Sequence, residues 1–369
     1  MAGLRMSELR LSLHELHAEL GGTFTVVNEA EAVANYGDPV AEHRVCRESA
    51  AVMDLSFRSR VCLMGADRVR LLHGQVTNDV VKLKTGEGCY AAFVSNKGKI
   101  EADVNIYALA SELLLDLEPG LTPMLTQRLE HYIVADDVQI VDVAPHYGLL
   151  SVQGPQAAVV MAQLGLEVAL PLAPLTFAHQ ADPTLGDLYF VAHARTGFTG
   201  FDCFIPTDAL GMVFDKLVLA AKQVGGRAAG FEALELARFE AGIPRFGVDM
   251  DGTNLPPETG QDGRAISYSK GCYIGQEVIA RIRTYGQVAK ALRGLRLSDE
   301  MGILPVKGDR LFRDGKDVGF VTSANRSPAF GGVLAMGYVR REANAVGTEL
   351  TVRTATAESR ARVIELPFR

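Results

Sequence analysis

The chain has 369 residues, of which 48% are hydrophobic and 22% are charged, and its net charge is −7. This length exceeds the roughly 250–300 residues at which single hydrophobic cores stop growing, so we expect two or three domains. The acidic balance argues against a broad nucleic-acid-binding surface, and no apolar run approaches the ~18 residues of a membrane-spanning helix.

The five cysteines are too few and too scattered for a disulfide framework. They are Cys46, Cys62, Cys89, Cys203 and Cys272, and no pair has the CxxC or Cys/His spacing of metal ligands. The amino-terminal residues carry charges every few positions and lack the apolar core of a signal peptide. We therefore predict reduced thiols, a cytoplasmic location and no metal site.

The first 35 residues are predicted to form a helical extension. Methionine and leucines recur at helical spacing along residues 6–20, and Ser7 fits a helix start signal. His14 and His17 lie one turn apart on this helix, but no third ligand that a metal would need is near them in the sequence. We expect both imidazoles to lie on the solvated surface.

Helices and strands then follow without the regular alternation of a doubly wound sheet, which predicts an α+β fold. The predicted elements are a helix from about 38 to 55, a strand at 58–64, a short helix at 68–73, paired strands at 90–94 and 100–108, a strand at 113–117, a helix at 121–133, strands at 138–143 and 147–152, a helix at 156–164, strands at 187–194 and 201–205, and helices at 208–223 and 230–241. The stretch 168–187 is the most linker-like. From residue 291 onward, short strands separated by turns predict a small all-β domain.

The run Lys270-Gly271-Cys272-Tyr273-Ile274-Gly275-Gln276-Glu277 fits neither a helix nor a strand period. Its two glycines would weaken either element, so we predict a loop that carries a site. Cations such as Lys270 and Arg281 favour the thiolate form of a nearby cysteine, which acts as a nucleophile or a metal ligand. The alternative is a turn in which Cys272 packs as a small hydrophobic residue.

Two other charged residues are candidates for chemistry. Asp103 shares one strand face with Glu101 and Asn105, and this face either is solvated or lines a polar cavity. In a cavity, a partly desolvated carboxylate can exchange a proton near neutral pH. Arg238 lies on a predicted helix, where it either pairs with Glu235 or offers a guanidinium fork to a ligand.

Several runs together resemble the YgfZ branch of the glycine-cleavage T-protein superfamily of folate-dependent aminomethyltransferases. They are YGDPVAEHRVCRESAAVMDLS, LLHGQVTNDVVKLKTGEGCYAAFVSNKGKIEAD, LELARFEAGIPRFGVDM, PPETG, KGCYIGQEVIARI and VGFVTSANRSP. The cysteine of the KGCYIGQE run distinguishes the YgfZ branch from T-proteins. The resemblance implies an N-terminal extension (1–35), a folate-binding region of two intertwined α+β subdomains around a central channel (36–288, with a break near 145–185) and a C-terminal β-barrel domain (289–369).

The resemblance also implies roles for single residues. Tyr90, Asp103 and Arg238 fall on folate-site positions, and Asp103 takes the place of the T-protein carboxylate near folate N5 and N10. Cys272 falls at the mouth of the channel, so Asp103 and Cys272 are the predicted catalytic residues. The implied cofactor is tetrahydrofolate or a one-carbon-substituted folate.

One position departs from the T-protein pattern. T-proteins carry a TGExG run whose glutamate binds the pterin ring, whereas Phe198 stands at that position in the TGFTG run here. Losing a buried polar partner of this kind costs on the order of 1–3 kcal/mol. Asp202, a few residues later, is the nearest acidic residue that could replace the glutamate.

Three functions fit the resemblance, and the sequence leaves open whether the protein is an enzyme. The first is a tetrahydrofolate-binding factor that supports iron–sulfur protein assembly or repair through Cys272, with iron–sulfur proteins as partners and an indirect effect on tRNA modification. The second is an aminomethyl or one-carbon transferase in which Asp103 positions or deprotonates the attacking nitrogen. The third is a catalytically silent folate-binding regulator. Neither nucleic acid nor membrane is expected as a direct partner.

Overall fold

A computed structural model of the chain describes residues 10–298 and 302–368. These residues form two compact units, and the chain passes from one unit to the other several times. The first unit holds the described residues through His73, Asp79–Tyr90 and Val104–Ala237. The second unit holds Gly74–Asn78, Ala91–Asp103 and the described residues from Arg238 onward. The domain division at residues 36 and 289 stays a proposal.

Helices and strands are mixed along the first two thirds of the chain, and strands dominate the last third. The helices are α1 (His14–Glu19), α2 (Pro39–Glu48), α3 (Arg68–Gln75), α4 (Thr122–Tyr132), α5 (Ala157–Ala162), α6 (Thr207–Gln223), α7 (Phe231–Glu240), α8 (Asp262–Ala265) and α9 (Gln276–Tyr285), with 3₁₀ turns at Pro256–Thr259 and Arg341–Ala343. The strands are β1 (Thr23–Val27), β2 (Ala30–Asn35), β3 (Ala51–Asp54), β4 (Ser59–Met64), β5 (Gly88–Val94), β6 (Ile100–Ala108), β7 (Leu113–Leu117), β8 (Gln139–Asp142), β9 (Tyr147–Gln153), β10 (Phe177–Asp182), β11 (Gly186–Ala192), β12 (Gly200–Pro206), β13 (Arg227–Ala228), β14 (Lys290–Leu297), β15 (Arg310–Arg313), β16 (Lys316–Arg326), β17 (Val333–Arg340), β18 (Glu349–Arg353) and β19 (Glu358–Ile364). None of the helices in the described ranges combines the length and apolarity that crossing a membrane requires.

Two sheets form most of the first unit. One has six strands in the order β10-β11-β12-β9-β3-β13, and the other has five in the order β5-β6-β7-β4-β8. The chain leaves the first unit within β5 and returns to it within β6. All pairings in the six-stranded sheet are antiparallel except that of β13 with β3.

The inner strands β12, β9 and β3 of the six-stranded sheet are buried on both faces, which explains their nearly continuous apolar sequences. Successive side chains of a strand point to opposite faces. On β12, Cys203 and Ile205 therefore pack into the core that contains Phe214 of α6. Phe204, between them, packs into a second core with Leu114 of the five-stranded sheet. The sheet thus lies between a helical layer and the other sheet.

The C-terminal strands of the second unit form a closed antiparallel barrel. Its order is β14-β17-β16-β15-β18-β19, and β19 returns to pair with β14. Leu295, Val321, Val339 and Val352 are among the buried residues of its core. Closure leaves no unpaired sheet edge. The predicted α+β fold with a C-terminal β-barrel is confirmed.

Three predicted segments differ in the structure. The helix expected to end near residue 55 ends at Glu48, and Ala51–Asp54 form β3 between β9 and β13. These four residues are all buried, and a short apolar run of this kind has no strand alternation to distinguish it from a helix. The linker-like stretch contains β10. In the N-terminal segment only α1 is helical among the described residues, and residues 23–35 contain the hairpin of β1 and β2, while Ser7 lies outside those residues.

His17 is buried rather than solvated, which corrects the prediction. Its Nε2 lies 2.9 Å from Asp54 Oδ2, and its Nδ1 lies 2.8 Å from the hydroxyl of Tyr36. The imidazole also contacts the ring of Phe214 edge-on, with centroids 4.9 Å apart. His14, one turn earlier, is half-buried 2.7 Å from the Glu31 carboxylate. None of these partners follows from the helical spacing of the two histidines.

A buried charge cluster joins the two sheets of the first unit. Arg195 follows β11 and donates from Nη2 to Asp116 Oδ2 on β7 at 2.9 Å. Its Nε donates to both carboxylate oxygens of Asp202 on β12, at 2.9 and 3.0 Å. Both carboxylates are fully buried. One guanidinium therefore binds a carboxylate of each sheet.

Further donors complete the hydrogen bonding of the two carboxylates. Asp116 accepts from Arg58 Nε at 2.6 Å and from the amide of Asn105 at 3.1 Å. Asp202 accepts from Ser151 Oγ at 2.7 Å and lies 2.8 Å from His193 Nδ1. Burial raises the pKa of Asp116, but Arg58 and Arg195 outweigh it and lower this pKa to about 2. The charged form of Asp116 is thus stabilised in the folded protein.

We expect Arg195→Met to lower the free energy of unfolding by about 3–5 kcal/mol, because removing one partner leaves buried charge uncompensated. Denaturant unfolding at neutral pH would measure the change. Arg70→Met is the matched control, since Arg70 is exposed and pairs with Asp67 and Asp136, and it should leave the free energy of unfolding nearly unchanged. Equal losses in the two variants would show that the cluster has no special stabilising role.

Candidate functional site

The KGCYIGQE loop is anchored within the second unit by its lysine. Lys270 is 8% exposed, and its Nζ donates to the backbone oxygens of Val76 at 2.6 Å and Asn78 at 2.8 Å. The ammonium also lies 4.9 Å from the centroid of the Tyr273 ring, which is itself buried. A buried ammonium requires such partners to offset its lost hydration. Lys270 therefore holds the loop to the segment 74–78.

Gly275 fixes the far end of the loop. Its φ is +77°, and a Cβ at this position would lie 2.3 Å from the backbone oxygen of Ser95. Only glycine adopts this conformation without strain and leaves room for that close approach. Helix α9 begins directly afterwards at Gln276, so Gln276 and Glu277 are helical, which corrects the prediction of a loop through residue 277.

Cys272 lies between these anchors and is exposed. Cys46, Cys62 and Cys203 are buried, and Cys89 is half-buried. The alternative in which Cys272 packs as a small hydrophobic residue is therefore wrong. Neighbouring Gly271 is exposed as well.

The charged residues around Cys272 have partners of their own. Lys270 bonds to backbone oxygens, as described above, and Arg281 pairs with Glu277 one turn earlier on the exposed face of α9. Within the second unit, the loop therefore presents its thiol from a fixed backbone. The sequence indicated the site but not which motif residues anchor it.

Arg238 is held by a buried carboxylate that the sequence analysis missed. Its Nη1 donates to Asp249 Oδ2 at 2.5 Å and to the backbone oxygen of Ile243 at 3.1 Å. The other oxygen of Asp249 accepts from the hydroxyls of Thr322 at 2.9 Å and Ser323 at 2.6 Å, both on β16. The barrel therefore positions Asp249, and Asp249 positions the guanidinium. Asp249 lies beyond the end of α7 at Glu240, so helical spacing gave sequence reasoning no signal for this pair.

Tyr90 and Asp103 lie on β5 and β6. Tyr90 is 7% exposed. On β6, Ala102 and Val104 are buried while Asp103 is half-buried, as the predicted alternation requires. Asn105 on the polar face is buried and donates to the charge cluster. The face that carries Asp103 is therefore not simply a solvated surface.

Asp103, Arg238 and Cys272 belong to the second unit, whereas Tyr90 is in the first. Within the second unit, the contacts above fix Arg238 and the Cys272 loop separately, through Asp249 and through Lys270. The folate role of Tyr90, Asp103 and Arg238 stays a prediction.

Asp202 is not available as a replacement for the missing pterin glutamate. Both of its oxygens are engaged within the charge cluster, and the side chain is fully buried. The suggestion that Asp202 reaches a ligand is therefore wrong. Phe198 is half-buried, with the guanidinium of Arg47 5.4 Å from the centroid of its ring.

Comparisons with known proteins match nearly the entire chain. The family model described as GCVT N-terminal domain matches residues 13–270, and the glycine cleavage T-protein C-terminal barrel domain matches residues 290–369. An aminomethyltransferase of Symbiobacterium thermophilum is 29% identical, covering 97% of this chain and 96% of that protein. An aminomethyltransferase of Bacillus subtilis is 28% identical, covering 97% of this chain and 98% of that protein. The crystal structure of glycine cleavage system aminomethyltransferase T from Bartonella henselae is 24% identical, covers 98% of both chains and has a TM-score of 0.87, so the two share a fold.

We expect Cys272 to be the first cysteine alkylated in the native protein, because it is the exposed thiol among the five. Brief treatment with N-ethylmaleimide followed by peptide mass spectrometry should find one adduct, on Cys272. Cys272→Ser should abolish this adduct, and Cys203→Ser, which removes a buried thiol, should leave it unchanged. Faster labelling of Cys46 or Cys62 in the folded protein would contradict the assignment.

Proposed function

Because this chain belongs to the glycine cleavage T-protein family, we propose that it binds tetrahydrofolate and takes part in one-carbon transfer of the aminomethyltransferase type. The observation that carries the proposal is the family match, which extends over residues 13–270 and 290–369. The relatives named aminomethyltransferase are similar over nearly their whole length, so no major part of such an enzyme lacks a counterpart here.

In this proposal the folate contacts come from Tyr90, Asp103 and Arg238. A phenol, a half-buried carboxylate and a fixed guanidinium are each groups that bind a heterocyclic ligand with an anionic tail. The bond to Asp249 immobilises Arg238 before binding, which lowers the entropy cost of ordering the guanidinium. Position 198 is a phenylalanine here and supplies no acidic partner for the pterin ring, and Asp202 does not supply one either.

Asp103 is the proposed catalytic residue of the transfer. Bound tetrahydrofolate supplies the nitrogen atoms that accept a one-carbon unit. The carboxylate of Asp103 would orient one of these nitrogens and would accept the proton that this nitrogen gives up. Its half-buried position supports this role, because partial desolvation strengthens the interaction of a carboxylate with a nearby proton donor.

A second candidate is a YgfZ-type factor for iron–sulfur protein assembly or repair, and the exposed Cys272 favours it. A buried lysine and a glycine with positive φ hold the loop that presents this thiol. In this candidate, Cys272 acts as a nucleophile or a transient ligand toward an iron–sulfur protein. Since clusters need several thiolates, the partner contributes the other ligands. A reduced thiol fits the predicted cytoplasmic location, and an effect on tRNA modification would be indirect.

We expect tetrahydrofolate to bind with a micromolar dissociation constant, which corresponds to about −8 kcal/mol. Isothermal titration calorimetry of the full chain would measure it. Arg238→Lys keeps a positive charge beside Asp249 but loses the planar fork, so affinity should fall about tenfold. Arg70→Lys, at an exposed ion pair, is the control and should bind as the wild type does. A folded wild-type protein that gives no heat at millimolar ligand would refute folate binding.

Two conservative variants separate the candidate functions. If the protein is a transferase, Asp103→Asn should lower the transfer of an aminomethyl group to tetrahydrofolate by about 10²-fold or more, and Cys272→Ser should leave it unchanged. If it is an iron–sulfur factor, Cys272→Ser should lower the activity of iron–sulfur enzymes in cells while folate binding persists. A protein whose two variants match the wild type in both measurements would have neither function.

A further inference from the structure

A cavity of about 130 Å³ lies in the first unit, and none of the residues considered above as folate or thiol sites lines it. Its walls include Tyr147 of β9, Tyr189 of β11 and Phe204 of β12, and Glu112 borders it from the turn before β7. Apolar protein cavities of about 150 Å³ admit a ligand of the size of benzene. The cavity therefore accommodates a compact group of about five heavy atoms, such as a trimethylammonium.

The aromatic walls are held in place by other rings. The centroids of Tyr147 and Tyr189 are 6.3 Å apart, and the rings are inclined by 60°. Tyr189 stacks on His179 at 4.8 Å, and Phe204 contacts Tyr107 at 5.8 Å. An aromatic ring attracts a cation that lies over its negatively charged face, within about 6 Å of the ring centroid. Because the rings are already fixed, binding would order few side chains.

Cys62, Tyr189 and Glu112 are polar residues that line the cavity. The thiol of Cys62 is hydrogen-bonded to Glu112, and burial together with this carboxylate raises the pKa of Cys62. Burial, Tyr147, Asp187 and Glu112 raise the pKa of Tyr189 to about 12. The thiol and the phenol therefore stay neutral near pH 7. Glu112 is the acidic group that borders the cavity.

Arg60 also lines the cavity, but most of its donors are taken. Its guanidinium donates to the backbone oxygens of Tyr147 at 3.0 Å, Arg58 at 2.8 Å, Ser56 at 2.9 Å and Ala144 at 3.2 Å. A guanidinium has five N–H donors. Arg60 therefore has few donors left for a ligand anion, and the nearby carboxylates of Asp116, Asp54 and Asp142 offset its positive charge.

We propose that this cavity binds a small organic cation of the methylated-ammonium class, with Glu112 as its counter-ion and the rings of Tyr147, Tyr189 and Phe204 as its walls. This inference is independent of the folate proposal, because Tyr90, Asp103, Arg238 and Cys272 are not among the lining residues. A carboxylate supplies charge complementarity, and aromatic faces supply the cation–π attraction that distinguishes a quaternary ammonium from a neutral group of the same shape.

Three probes of nearly equal shape test the preferred charge. Choline is cationic, 3,3-dimethylbutan-1-ol is its neutral isostere, and 3,3-dimethylbutanoate is an anion of similar size. Ligand-detected NMR titration of the full chain should show choline binding at least about tenfold more tightly than the alcohol, a difference of about 1.4 kcal/mol. The anion should bind more weakly still. Equal affinity for choline and the alcohol, tighter binding of the anion, or no choline binding at about 0.1 M would each overturn the proposal.

Variants place the binding in this cavity. Glu112→Gln keeps the side-chain shape and should lower choline affinity about tenfold while leaving the weaker alcohol signal unchanged. Tyr189→Leu should weaken choline binding by removing an aromatic face. Glu349→Gln, an exposed glutamate of the barrel, is the matched control and should behave as the wild type. Thermal unfolding of each variant checks that it is folded, and a folded Glu112→Gln protein with wild-type choline affinity would overturn the assignment.

Discussion

Arg195 forms two buried, hydrogen-bonded ion pairs, and the packing of the two sheets of the first unit depends on them. A single guanidinium binds Asp116 on one sheet and Asp202 on the other, and both carboxylates are buried. Charges in this environment are tolerated only when they are paired and hydrogen-bonded, so the cluster favours one register of the two sheets. Asn105 joins the cluster two residues after Asp103, which ties the strand carrying that carboxylate to the same network.

The same physical arrangement recurs at the two candidate sites of the second unit. At each site, a buried charged side chain is held by hydrogen bonds, and it in turn positions a nearby functional group. Lys270 bonds to the segment 74–78 and so fixes the backbone on which the thiol of Cys272 is exposed. Asp249, held by two hydroxyls of the barrel, fixes the guanidinium of Arg238. The KGCYIGQE run therefore combines anchoring residues with one exposed reactive group, a division that composition alone does not show.

Family membership and the details of this chain bear on different parts of its function. The T-protein fold and the similarity to aminomethyltransferases support folate-linked one-carbon chemistry. The engaged carboxylate of Asp202 and the exposed Cys272 are features of this chain itself, and they bear on the proposed folate site and on the proposed role of the thiol. The cavity beside Glu112 lies outside both questions, since it is built from aromatic residues of the first unit.

The sequence by itself determined the α+β class, an all-β C-terminal region and most element positions, because periodicity and turn residues are local signals. That this region closes into a barrel was implied by the family resemblance. It also singled out the loop of Cys272. It misread Ala51–Asp54 as helix and residues 177–182 as linker, since a short buried run lacks alternation and β10 is recognised only by its pairing with β11. The tertiary structure alone decided that His17 is buried against Asp54, that Asp249 holds Arg238, and that Asp202 is engaged within the first unit. These contacts join residues 7 to 37 positions apart, and the two residues of each contact do not share a helix or a strand, so a periodic pattern could not relate them.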